Sequence, residues 1–262
     1  MRGRPNIFGS LTALVLVLLL LPFAAMAFGL STAHYSAAFS AAGTHSALWL
    51  SLWTSLISLA IIVGLGTPVA WWLRMQQGGV GLWASTLLQL PIVIPPAVIG
   101  VALLSALGPR GAIGAGLAAL GLQLPFTPMA VILSQIVVAS PFYIQAASNA
   151  FRAIHPEQID VAVSFGASPF QLLRHVALPM ARPGLLAGAM LAWARALGEF
   201  GATLIFAGNL PESTQTLPLL IYSVLERDLS VAAALSLLWA AVGLAFLFLL
   251  PLAVRQGSAP TE

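Results

Sequence analysis

The sequence predicts an all-α integral membrane protein with six transmembrane helices, and three observations carry that prediction. Of the 262 residues, 60% are hydrophobic and 6% charged, against roughly one-quarter charged in an ordinary soluble domain. The apolar residues come in uninterrupted blocks rather than along one face of each helix, the pattern of a chain whose solvent is lipid. Six blocks, at about residues 11–28, 47–73, 82–107, 129–150, 185–206 and 231–254, reach the ~20 residues a helix needs to cross a hydrocarbon core.

The first block follows Arg2 and Arg4 and ends in Ala25-Met26-Ala27, which also fits a signal peptide with its cleavage site. An uncleaved helix is the preferred reading, because the run is longer than a typical signal core and five more spans follow. The second and fourth blocks carry no charge. The third is also uncharged but holds Pro91, Pro95 and Pro96, which remove three amide donors and predict a kinked or interrupted helix. The fifth alone contains charges, Arg195 and Glu199; the sixth is again uncharged.

An even number of spans places both termini on one side. With that side inside, Arg2, Arg4, Arg74, Arg152, Arg174, Arg182 and Arg255 are cytoplasmic and only Arg110 and Arg227 external, a clear positive-inside bias. The segment 151–184 is then the longest polar element on the cytoplasmic face. The chain 1–262 reads as a single membrane domain, without repeats and with a frayed tail at 256–262.

Composition also excludes functions. Cysteine is absent, which removes disulfides, thiolate metal sites and cysteine nucleophiles. Lysine is absent too, so the chain cannot carry a phosphate-binding GxxxxGK[ST] loop, and any ATP hydrolysis belongs to a partner. The ten arginines are scattered singly, without the basic run that nucleic-acid binding requires. His34, His45, His155 and His175 read as loop residues, too dispersed for a metal site or a serine–histidine enzyme within the bilayer. A secondary transporter is the competing transport class, but it usually has ionisable relays or broken helices in paired halves, whereas one span here carries charge. No catalysis, cofactor or metal is expected of this chain.

Segment 151–184 carries two sets of helix signals. Pro156 opens the first, with Glu157, Ile159, Asp160, Ala162 and Val163 continuing it to a left-handed stop at Gly166. Ser168, Pro169 and Gln171 then supply an N-cap, a first-turn proline and a reciprocal partner for a second helix, which Leu178-Pro179 should end. The result is a helix–glycine–helix elbow. Such an elbow rests at the headgroups or inserts into a groove on a partner, and periodicity does not decide between them.

Asp160-Val161-Ala162, three residues, Gly166, nine residues and Val176-Ala177-Leu178-Pro179 resemble the EAA loop of ATP-binding-cassette importer permeases. All spacings match, with Asp160, Val161 and Val176 as mild departures from that pattern's Glu, Ala and Ile. Further on, Arg195-Ala-Leu-Gly-Glu-Phe-Gly-Ala-Thr203, then Phe206-Ala-Gly-Asn209, Gln215-Thr-Leu-Pro218 and Ile221-Tyr222 resemble the molybdate branch of those permeases. The sulfate/thiosulfate permeases are near neighbours. Leu90-Pro91, Pro95-Pro96 and Ser140-Pro141-Phe142 extend the likeness over most of the chain.

The resemblance implies a permease subunit in the inner membrane that moves molybdate or tungstate, or else sulfate or thiosulfate. Glu157, Asp160, Ala162, Gly166, Ala167, Ser168, Leu178 and Pro179 would form its coupling loop, seated on a cytoplasmic ATPase dimer that binds the ATP. Pro95, Pro96, Arg195, Glu199 and Thr203 would border the translocation path. Asn209, Gln215 and Thr216 would face an external oxyanion-binding protein. A second permease copy is expected, since six spans are too thin to enclose a path.

The residues themselves leave the charged pair open. An unpaired arginine at mid-membrane costs at least ~3 kcal/mol, and Glu199, four residues on, is placed to meet Arg195. The pair either fixes packing or borders a water-filled path. Gly198 and Gly201 beside it read as close-packing positions.

Overall fold

The computed structural model describes the backbone of residues 7–76 and 78–256 and the side chains of 8–76 and 78–246. Among these the regular structure is helical, with no strand. Helix α1 (Ile7–Phe28) is followed by a short α2 (Thr32–Ser40) and the long α3 (Thr44–Met75). Three pieces make the next span: α4 (Gly79–Leu88), α5 (Leu90–Val93) and α6 (Pro96–Leu107). After α7 (Gly114–Ala119) and α8 (Pro128–Arg152) come the elbow helices α9 (Pro156–Ser164) and α10 (Pro169–Leu172). Helices α11 (Leu178–Leu197), α12 (Gly201–Phe206), α13 (Leu217–Leu225) and α14 (Leu229–Gln256) complete the order.

Five helices are long and apolar enough to cross a bilayer, and a sixth span results if the bent run from Gly79 to Leu107 counts as one. Arg2, Arg4 and residues 257–262 of the expected tail lie outside the described residues.

The centre of the bundle is α3 against α8 and α8 against α11. Without a hydrophobic drive between helices in lipid, association depends on close backbone approach and interhelical hydrogen bonds. Both are present. Gly184 and Gly188 are spaced four apart on α11, and a Cβ on either would come within 2.5 Å of Ala150 Cβ and 2.8 Å of Ala146 Cβ respectively. Tyr143 lies on the same stripe of α8, and a Cβ on Gly66 of α3 would stand 2.8 Å from its ring. A buried polar ladder ties α3 to α8: Ser58 Oγ donates to Gln135 Oε1 at 2.9 Å, and Gln135 Nε2 donates to Thr54 Oγ1 at 3.4 Å. Thr67 and Tyr143 share a 2.6 Å hydroxyl–hydroxyl bond on the same seam.

Several expectations need correction. The fifth span does not begin at 185 but continues from the elbow, so that Pro169–Leu197 forms one helical run. Leu178-Pro179 therefore does not end the second elbow helix. A π turn at Leu173–Ala177, with Leu178 N–H donating to Leu173 carbonyl, widens the helix where the Pro179 ring would crowd the preceding turn. The same span stops at Leu197 rather than running unbroken to 206. Helices α2, α7 and α13 arise where only loops were expected. His34 accordingly lies in α2, His45 in the first turn of α3 and His175 in the π turn, while His155 is the N-cap of α9.

Candidate functional site

Two spans are broken, and the breaks meet. The first bends by 109° between Gly79–Val93 and Pro96–Leu107. Pro95 and Pro96 cause it: neither has an amide to continue the α5 ladder, and Pro96 instead occupies the first turn of α6, where that amide is not needed. The second break is the run Gly198, Glu199 and Phe200 between α11 and α12. Helix α12 then lies on α6, so closely that a Cβ on Gly201 would be 3.1 Å from Ala97 N and one on Gly100 2.8 Å from Ala202 O.

Glu199 bridges the second break. Its Oε1 accepts a 2.8 Å bond from Ala202 N–H in the first turn of α12, and its Oε2 lies 3.0 Å from Arg195 Nη1 in the last turn of α11. That second contact is an ion pair without hydrogen-bond alignment, since Oε2 has no hydrogen-bond partner. The Glu199 side chain is fully buried and that of Arg195 is 26% exposed, so the cation, not the carboxylate, reaches the open side. Thr203 is buried in α12 with its hydroxyl unpartnered. Of the expected path residues, the structure gathers Pro96, Arg195, Glu199 and Thr203 around the start of α12, whereas Pro95 sits exposed at the bend.

At the end of the bundle that carries Arg74, Arg152, Arg174 and Arg182, the chain makes the elbow. Helix α9 closes with Ala167 N–H donating to Ala162 carbonyl at 3.1 Å around Gly166, whose φ is +80°. That left-handed turn is what glycine permits without a Cβ penalty. Ser168 and Gln171 cap α10 reciprocally, at 3.3 Å and 2.8 Å. Ile154 and Leu172 are buried in the core, with Ile159 and Ala162 packed against them. Arg74 fixes the stem by donating from Nε to Phe151 carbonyl at 2.8 Å and from Nη2 to Ile154 carbonyl at 3.3 Å. The outer face presents Glu157 and Asp160 together with Val161, Val163, Phe165 and Phe170, the last two 88% and 66% exposed.

The opposite end is built differently. Residues 209–216 fold into a tight turn in which Leu210 carbonyl accepts from the amides of Ser213, Thr214 and Gln215. Asn209 donates to Ser223 Oγ and accepts from Gln215 Nε2, both at 2.8 Å. Gln215 and Thr216 are buried, and the exposed tip is Pro211, Glu212 and Ser213. Ser51 Oγ on α3 accepts from Leu217 N–H at 2.7 Å and caps the start of α13.

Two features escaped the sequence reading. The Gly184/Gly188 pair is a plain small-xxx-small signal on the fifth span. A polar stripe on α8, Gln145, Ser148, Asn149 and Arg152, borders a cavity of about 140 Å³ against Ser85 and Gln89 of the third span. Its spacing of three, four and seven was also legible.

Residues 62–256 match the family described as binding-protein-dependent transport system inner membrane component. The chain is 33% identical over 251 residues to a probable transport system permease protein, NifC, of Clostridium pasteurianum, covering 95% of this chain and 88% of that one. It is 39% identical over 223 residues to the molybdenum transport system permease protein ModB of Mycobacterium tuberculosis, covering 85% and 84%. Among solved structures, a bacterial transporter importing the acidic polysaccharide alginate aligns with a TM-score of 0.76 at 19% identity, over 95% of this chain and 94% of that one. The MetNI methionine transporter in an inward-facing form aligns with a TM-score of 0.65 at 22% identity, over 81% and 95%. The fold and the sequence together place the chain in the binding-protein-dependent transport system inner membrane component family: it is an ABC transporter permease.

Proposed function

We propose that this chain is the membrane subunit of an importer that takes up molybdate, or the similar tungstate, using ATP hydrolysed by a separate cytoplasmic ATPase dimer. The observation that carries the reading is the 39% identity to a molybdenum permease over most of both chains. The two broken spans fit it physically. Interrupted helices leave backbone polar groups that need a water-lined cavity, and they supply joints at which one half-span can tilt relative to the other. Sulfate or thiosulfate is the alternative cargo within the same family.

In this reading the arginine-rich end is cytoplasmic, both termini with it, and the elbow seats Phe165 and Phe170 in a groove of the ATPase, beside Glu157 and Asp160. The tip at Pro211, Glu212 and Ser213, braced by Asn209 and Gln215 next to the buried Thr216, faces an oxyanion-binding protein on the outer side. A second copy of the chain completes the path. The chain itself binds no cofactor, and ATP stays on the partner. Reconstitution with the ATPase and binding protein tests the proposal by ATP-dependent uptake of tracer molybdate. Uptake that excess tungstate suppresses and excess sulfate leaves intact is the expected result; uptake of sulfate in preference to molybdate contradicts the cargo.

A further inference from the structure

A polar cavity lies between the third span and α8. Six of its lining residues are polar, Ser85, Gln89, Gln145, Ser148, Asn149 and Arg152, and none is a carboxylate. Its volume of about 140 Å³ is well above the ~10–15 Å³ that one water needs in that measure. Gln145 lies seven residues before Arg152, hence ~10 Å along the helix axis from it, and is exposed on the chain as it stands. A polar stripe on a spanning helix is costly against hydrocarbon and belongs on water or a polar ligand.

The donors also point to one class of ligand. Arg152 has no ion-pair partner among the described residues; it also lines a separate opening together with Arg74 and Asp160. Side-chain amides and a hydroxyl donate neutrally, and a guanidinium donates in a fork that matches two oxygens of a tetrahedral anion. Ser85 is the exception, because its hydroxyl already donates to Leu82 carbonyl at 2.8 Å.

We propose that Arg152, with Gln89, Gln145, Ser148 and Asn149, forms a tetrahedral-oxyanion subsite at the arginine-rich end of the path. It rests on the importer reading, where it is the exit-side station that receives the anion after the broken spans part. One positive charge among neutral donors holds an anion without trapping it, as an exit station requires.

The cysteine-free chain makes the test direct. Ser85→Cys supplies a single thiol on the cavity wall, and inside-out membrane vesicles of the full-length chain expose it to a maleimide. Molybdate, sulfate and phosphate are each added as the probe anion. The expected result is slower labelling, roughly tenfold at an anion concentration about ten times Kd by mass action. Protection should be lost with Arg152→Gln, restored in part with Arg152→Lys, and kept with Arg182→Gln, which borders a different, apolar-walled groove. Protection by sulfate or phosphate but not molybdate leaves the subsite standing and removes the molybdate reading. Slow labelling in vesicles rich in phosphatidylglycerol, relieved in phosphatidylcholine and dependent on Arg152, keeps the oxyanion chemistry and assigns it to a lipid headgroup. Labelling indifferent to every anion and lipid, or protection that survives Arg152→Gln, overturns the subsite.

Discussion

The two ends of this molecule treat the same raw material in opposite ways. At the arginine-rich end, an elbow of polar segments turns Phe165 and Phe170 outward. At the other end, a loop rich in polar residues turns Thr214, Gln215 and Thr216 inward; Thr214 Oγ1 accepts from Leu210 N–H, Gln215 donates to Asn209 and Asn209 to Ser223, while the Thr216 hydroxyl is buried without a partner. The second surface satisfies itself through its Asn209, Thr214, Gln215 and Ser223 bonds, since burying bonded polar groups costs little. The first does not: two large aromatic side chains beside charged residues form the kind of patch that a partner covers. Under the proposed function, this contrast puts the permanent partner at the elbow and a passing one at the loop.

Substitutions confined to one region at a time test that contrast. Phe165→Asp combined with Phe170→Asp is expected to have the largest effect, reducing uptake to background because a charge pair cannot enter an apolar groove. The isolated permease should keep its stability within ~0.5 kcal/mol, as exposed substitutions usually do. Melting the purified chain and assaying uptake in parallel separates the two outcomes; a loss of both would place these residues in the fold rather than at an interface.

The broken span between the ends comes next. Arg195→Gln leaves Glu199 buried without its cation and is expected to destabilise the chain by ~3–5 kcal/mol, with the double change Arg195→Gln and Glu199→Gln recovering most of that. If the pair also borders the path, the recovered protein assembles yet transports poorly, because the charge met by the anion has changed. Size-exclusion profiles and tracer uptake of the double variant decide it, and normal uptake assigns the pair to packing alone.

Smaller effects follow from the seam and the loop. Gly188→Leu forces a side chain against Ala146, where even a Cβ would stand at 2.8 Å, and should cost ~1–3 kcal/mol by overpacking. Thermal unfolding in detergent reads this directly. Asn209→Ala removes both 2.8 Å bonds that brace the loop and should cost ~1–2 kcal/mol. Binding of the external partner should weaken only modestly, because the exposed tip remains; an effect larger than that of any substitution at the elbow would reverse the contrast.

Much of this was legible in the sequence. Span number follows from apolar length alone, and the elbow from Pro156, Gly166 and the Ser168/Gln171 box, each a local signal that tertiary packing had no reason to override. The break after Leu197 was less visible. Spacing of four between Arg195 and Glu199 fits a continuous helix as well as a broken one, and Gly198 and Gly201 fit close packing as well as a break; only Gly201 approaches another element closely. Helix α13 carried the signal Thr216-Leu217-Pro218, an N-cap followed by a first-turn proline, yet its polar approach masked it. The inward burial of Gln215 rests on its bond to Asn209, six residues away, which no local pattern reveals. Broken spans, expected of secondary transporters, proved compatible with an ABC permease and so do not separate the two classes.

The most direct test of the contrast uses the absence of cysteine once more. Single thiols at Phe165→Cys and Ser213→Cys are labelled with an impermeant maleimide, in the permease alone and in the complete assembly with its ATPase. Both thiols should react readily in the permease alone, and addition of the ATPase should protect position 165 while leaving 213 unchanged. Equal reactivity at 165 with and without the ATPase would contradict the assignment of the elbow as the coupling surface.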